Sequence, residues 1–292
     1  MILNVSGRTD VVAFYTEWFM NRYREGFVDV RNPFNEKLIS RIYFEDVDAI
    51  MFCTKNPVPI VKYLKEIEKP ILFHVTITPY KKEIENNVIA KTKIIEAVKE
   101  ISNIVGIDNL YIRYDPIFIN DDYTVNYHCK AFERLCSLLD GYIKHIIVSF
   151  MDEYKNVIKN RNILRYKKLT DDDYKRIGIS FSKSAKKHGI TVQTCMEEHN
   201  LVEYSFIKRE CLSHVLAYKL TGKTDFKSWK ARKCNCVEMV DIGAYNTCNH
   251  LCRYCYANYS EEMIIKNIKK HDKNSSLLIG RIETDDIIKR RR

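Results

Sequence analysis

The chain is poor in the residues that break regular structure. Its 292 residues include only 9 Gly and 6 Pro, which excludes a collagen-like or low-complexity linker protein and favours well-formed elements joined by short loops. No apolar run is long enough to cross a bilayer, because segments such as HIIVSF (145–150) stop after a few residues. The opening MILNVSGRTD reaches Arg8 and Asp10 before an export-signal apolar region can form, so the expectation is a cytoplasmic protein with no membrane partner. Acidic residues are outnumbered, 38 Asp and Glu against 48 Lys and Arg, for a net charge of +10. Half of that excess lies in residues 266–292, with nine Lys/Arg against four Asp/Glu and an end of Lys289, Arg290, Arg291 and Arg292. We read this segment as a solvated basic tail; the body is only mildly basic, so nucleic acid is not the expected partner.

What is present is a globular composition, with 46% hydrophobic residues, 29% charged residues, 13 Phe and 19 Tyr. Short β-rich runs alternate with stretches of helical period: ILNV (2–5), FVDV (27–30), AIMF (49–52), ILFHVTI (71–77), LYIRY (110–114), HIIVSF (145–150) and TVQTC (191–195). Between them lie the helical stretches 12–26, 93–106, 128–141 and 172–189, the last three ending in Gly106, Gly141 and Gly189 as C-caps. This repetition predicts an α/β fold, a partial or complete (βα) barrel, with an open doubly wound sheet as the competing architecture. The expected organisation is a barrel core over 1–232, a cysteine-rich segment over 233–265 that completes it, and the tail over 266–292.

Ligands in parallel α/β folds gather at the C-terminal ends of the strands. The strand ends here carry Ser6-Gly7-Arg8-Thr9-Asp10, Lys55-Asn56, Arg113-Tyr114-Asp115, Ser149-Phe150 and Glu197-Glu198, which points to an enzyme site on one rim. Helix capping is the competing role for Asp10.

Five of the ten cysteines cluster at Cys234, Cys236, Cys248, Cys252 and Cys255. In a reducing compartment such spacing suits a metal or an iron–sulfur cluster better than a disulfide framework. Cys248, Cys252 and Cys255, spaced Cys-x-x-x-Cys-x-x-Cys after the apolar run VEMVDIG, can hold three irons of a cubane and leave the fourth open to a cofactor. A closed zinc site completed by His250 with Cys234 or Cys236 is the alternative. Cys195, Cys211, Cys234 and Cys236 are enough for a second site, holding zinc or an auxiliary cluster.

The cysteine spacing, with the aromatic Tyr254 before the last cysteine, resembles the radical S-adenosylmethionine (SAM) enzymes. In those enzymes the motif normally follows the first strand; here it stands near the C-terminus, so the resemblance implies a circularly permuted barrel in which VEMVDIG is the strand before the cluster loop and ILNV the next. The phrases SGRTD, CTKNP, RYDPI, QTCMEE, KCNC and DIGAYNTCNHLCRYCYA extend the resemblance to a permuted subgroup that includes the queuine lyases. It implies a [4Fe–4S] cluster and SAM, reduction by a donor such as flavodoxin or ferredoxin, and cleavage of queuine to the 7-deazaguanine preQ1 in queuosine salvage. Ser6, Gly7 and Arg8 lie where such enzymes hold the SAM amino group, although the usual glycine-rich sequence is absent.

For a guanine-like base, a rim carboxylate is the natural acceptor and an aromatic ring the natural stacking face, which selects Asp115 and Glu197 with Phe150. Lys55, Asn56 and Asp10 are further candidate contacts. The competing functions are the same cofactor chemistry on another substrate, such as a nucleic-acid lesion, and a non-enzymatic zinc-stabilised RNA-binding module.

Overall fold

A computed structural model describes residues 1–230 and 235–291. The strands in chain order are β1 (Ile2–Asn4), β2 (Phe27–Asn32), β3 (Asn35–Tyr43), β4 (Ala49–Thr54), β5 (Ile71–Thr76), β6 (Leu110–Ile117), β7 (His145–Phe150), β8 (Thr191–Thr194), β9 (Ile207–Lys208), β10 (Met239–Asp241) and β11 (Ile287–Arg290). Eight of them form one sheet in the order β10-β1-β4-β5-β6-β7-β8-β9, and every pairing in it is parallel. β1 is flanked by β4 and by β10, with Ile2 opposite both Ala49 and Met239. The strand that leads into the cysteine loop therefore lies beside the strand that opens the chain.

The two sheet faces are covered differently. Leu3, Ile50, Phe52, Phe73, Val75, Ile112, Tyr114, Ile146, Val148 and Val192 pack with Phe19, Val98, Ile101, Phe132 and Phe181 of the crossover helices. Alternate residues Ile2, Ala49, Met51, Leu72, Tyr111, Ile147 and Met239 face Leu212, Ala217 and Val237 in the chain between β9 and β10. Strands apolar on both sides are what a parallel sheet with both faces buried requires. The helices just named share one face, whereas the helix His214–Thr221, between β9 and β10, packs on the other; the edge strands are β10 and β9.

Helices Lys91–Val105, Val125–Leu138 and Asp171–Lys187 fall where periodicity placed them. Thr170 opens the last with a capping box to Asp173, and Gly106, Gly141 and Gly189 have φ of 83°, 77° and 63°, the left-handed conformation that glycine adopts at no steric cost. The stretch expected as one helix over 12–26 is two, Val11–Phe14 and Thr16–Glu25, broken at Tyr15, whose hydroxyl donates to the Thr247 carbonyl at 2.7 Å. FVDV is not in the main sheet; β2 pairs antiparallel with β3, and β11 adds to β3 in parallel.

That small sheet corrects the reading of 266–292 as a solvated tail. Leu277 and Leu278 are buried, the Trp18 indole donates to the Ser275 carbonyl at 2.8 Å, and Arg290 pairs with Glu45 and Asp46. Arg31 pairs with Asp286. Lys273 and Arg291 likewise pair with Glu17 and Glu238, so carboxylates of the body compensate part of the segment's positive charge. Among the described residues no helix is long and apolar enough to cross a membrane.

Candidate functional site

The Cys-x-x-x-Cys-x-x-Cys loop leaves β10 at the C-terminal end of the sheet. Its path uses two non-glycine residues with positive φ, Asn246 (55°) and Leu251 (54°), a conformation that persists only where surroundings enforce it. Three sets of contacts do so. Asp10 Oδ1 caps the helix Val11–Phe14 through Ala13 N (2.9 Å), while Oδ2 accepts from Thr54 Oγ1 (3.0 Å), Lys55 N (2.8 Å) and His250 Nε2 (2.8 Å). The chain after β5 docks its backbone on the loop, with Asn87 N donating to the His250 carbonyl (3.1 Å) and Arg253 N to the Ile84 carbonyl (2.9 Å). Asp241, at the end of β10, accepts from Gly7 N, Gly243 N and Arg8 Nε at 3.3, 2.7 and 3.2 Å. A Cβ at Gly7 would come within 2.3 Å of Asp241 Oδ2, so this close approach requires glycine.

Beneath the loop is a charged network absent from the sequence reading. Glu85, 1% exposed, accepts from Thr78 Oγ1 (2.5 Å), Lys55 Nζ (2.8 Å), Lys91 Nζ and the Tyr254 hydroxyl. Burial alone would raise its pKa, but the two ammonium groups outweigh that and hold it at about 2. Lys55 Nζ also stands 5.3 Å from the centre of the Tyr254 ring. Nothing in the local sequence KKEIENN marks Glu85; its partners come from four separate segments.

Cys248, Cys252 and Cys255 are free thiols. Burial is the main influence on all three and pushes them up; for Cys252, Lys55 opposes the rise. A thiol in such a place becomes a thiolate when a cation takes the proton's position. Three thiols on one enforced loop, with a lysine beside the middle one, fit the donor set of an iron–sulfur cluster.

The other predicted residues divide. Glu197 lies on the rim, its Oε1 accepting from Phe150 N at 3.1 Å; burial, with the charges of Asp115 and Asp152, raises it to about 7 against its hydrogen-bond donors. Met196 beside it has φ of 62°. Asp115 Oδ2 is held by Arg113 Nε and Nη2 at 2.9 and 2.6 Å. Phe150 is not a stacking face: its ring meets Tyr174 edge-on, 4.7 Å between centres, on the helix-covered side. Asp10, with both oxygens committed to protein donors, is a positioning residue. Asn56 Oδ1 accepts from Val58 N (3.2 Å) and Ser6 Oγ from Val11 N (3.2 Å), so both side chains serve local turns, while Arg8 is paired with Asp241.

The second cysteine group also converges. The sulfurs of Cys195 and Cys236 are 3.9 Å apart, Cys211 interacts with both, and Arg113 Nη1 donates to Cys211 Sγ at 3.3 Å. Cys234 lies outside the described residues.

Fold and rim together define an α/β protein with a cysteine-bearing loop at the C-terminal end of a parallel sheet. The profile of one family, described as "Domain of unknown function (DUF1848)", matches residues 2–257, and the chain belongs to that family. The match includes the three loop cysteines, Cys195, Cys211 and Cys236, and both sheet edges. No curated protein and no solved structure matches the chain.

Proposed function

We propose that this chain is a radical SAM enzyme built on a circularly permuted barrel, and that it is a lyase releasing preQ1 from queuine. The observation that carries the class is the loop after β10: three half-buried free thiols in Cys-x-x-x-Cys-x-x-Cys spacing, over the C-terminal ends of parallel strands. Cys248, Cys252 and Cys255 would hold the cluster, with SAM at the iron they leave open. When bound, that pair supplies one-electron reductive cleavage and hydrogen abstraction.

The chain's own residues do the rest. Asp10 and the 84–87 backbone fix the loop, so the ligand positions need no reordering when the metal arrives. Lys55 places positive charge beside Cys252 and offsets thiolate charge. Glu197, raised to about 7, can keep or give up a proton near neutral pH and so present either a donor or an acceptor to a deazaguanine edge. Asp115 is oriented beside it by Arg113. An external flavodoxin or ferredoxin would supply the electron. The proposal for queuine rests on the sequence resemblance together with this pair of rim carboxylates.

The test is anaerobic reconstitution of the full chain with iron and sulfide, followed by incubation with SAM, reductant and queuine. We expect brown protein, 5′-deoxyadenosine and preQ1, all lost in Cys252→Ser by more than the roughly 10–100-fold typical of second-shell changes. Colourless protein, or brown protein that makes no 5′-deoxyadenosine, overturns the class. 5′-Deoxyadenosine without preQ1 overturns queuine alone.

A further inference from the structure

The thiols of Cys195, Cys211 and Cys236 play no part in the rim chemistry. They come from three places: the end of β8, the chain after β9, and the residues just before β10. β8 and β10 are seventh and first in the strand order, so these thiols join the chain leaving one edge of the sheet to the chain entering the other. Unpaired thiols gathered this way give little hydrogen bonding to one another, and a half-buried guanidinium directed at them indicates negative charge on sulfur. Arg113 provides that guanidinium. His74, fully buried with neither ring nitrogen partnered, belongs to the same surroundings, within electrostatic reach of Arg113 and Cys211.

We infer that Cys195, Cys211 and Cys236 hold a single zinc ion that clips the two edges of the sheet together. The spacing of the Cys195–Cys236 pair favours zinc over a second cluster. A tetrahedral ion with zinc–sulfur bonds of about 2.3 Å holds its sulfurs about 3.8 Å apart, and Cys195 and Cys236 stand at 3.9 Å. In a cubane each thiolate binds a different iron, and the cluster itself lies between the sulfurs. The backbone already runs for a tight clip: Val237 N donates to the Leu212 carbonyl at 3.0 Å and Trp229 N to the Cys236 carbonyl at 2.8 Å. Arg113 joins this site to the rim, since the same guanidinium holds Asp115.

The inference is independent of the radical SAM proposal, and elemental analysis of anaerobically purified full chain separates them. About one zinc per chain is expected in the wild type and in Cys252→Ser, which loses iron. Cys211→Ser and Cys236→Ser should lower zinc more than roughly tenfold. Wild-type protein without zinc, or zinc retained in both serine variants, overturns the inference. Because those variants risk misfolding, Cys252→Ser with its inner thiols intact is also produced in cobalt-supplemented medium. Thiolate-to-cobalt charge transfer with intense tetrahedral ligand-field bands supports the clip; weak octahedral bands without charge transfer overturn it.

Discussion

The two cysteine groups reach convergence by opposite routes. Cys248, Cys252 and Cys255 are neighbours in sequence, and the fold's task is to fix their loop, which it does with Asp10, Asn87 and the Glu85 network. Cys195, Cys211 and Cys236 are distant in sequence and meet only because β8 and β10 belong to one sheet, one face of which is crossed by the chain between them. The first group depends on charged contacts beneath it, the second on the closure of the fold. Perturbing one set of contacts should therefore leave the other group intact.

Glu85→Gln gives the largest effect on stability. It leaves Lys55 and Lys91 without their shared carboxylate, and breaking a buried pair in this way costs about 3–5 kcal/mol. Urea unfolding should show the loss, with iron content falling and zinc content unchanged. A cost below about 1 kcal/mol would mean the network does not support the loop, and a parallel fall in zinc would mean the two groups are not separable. The pH dependence has a definite sign. Glu85 is held at about 2 against an ordinary 4.5, so its contribution is complete above pH 4.5 and is lost as pH falls from there toward 2. Acid titration of wild type against Glu85→Gln should converge across that window.

This contrast also marks what was legible in the sequence. Spacing made the rim cysteines visible, and Gly106, Gly141 and Gly189 marked helix ends, because both signals are local. Glu85 was hidden because Lys55, Thr78, Lys91 and Tyr254 meet it only in the folded chain. β3, with Asn35, Glu36 and Lys37 at its exposed start, lacked an apolar run, and β11, rich in basic residues, was taken for a tail. Phe150 was misplaced for another reason. Alternation separates the two faces of a strand, but when both faces are apolar it does not say which one the helices cover. The orientation of Arg113, toward Cys211, follows from the same parity once the covered face is known.

Glu197 offers a smaller effect of the opposite sign. Its pKa is raised to about 7 from an ordinary 4.5, so the folded chain keeps a proton that the unfolded chain has released, and stability falls as pH rises through that range. Glu197→Gln should be about 1–3 kcal/mol more stable than wild type at pH 8 and nearly equal to it at pH 4, measured by paired urea curves, the upper figure reduced for partial exposure. Under the proposed function, the activity limb near pH 7 should also flatten. A variant that gains nothing at pH 8 would show that the carboxyl ionises without hindrance and is not tuned to the rim.

The smallest effect belongs to Phe150→Leu, and it sharpens the boundary between the rim and the helix-covered face. The ring's partner is Tyr174 of the helix Asp171–Lys187, so the substitution removes an edge-to-face contact worth about 0.5–1.5 kcal/mol and exchanges volumes within an apolar cluster. Thermal unfolding should register that loss, whereas KM for queuine should change by less than about twofold, since 1.4 kcal/mol of direct contact would be needed for a tenfold change. The backbone N–H of the same residue binds Glu197 Oε1, and leucine preserves it. A large rise in KM with little loss of stability would put the ring on the substrate side of β7 and reverse the assignment of the two faces.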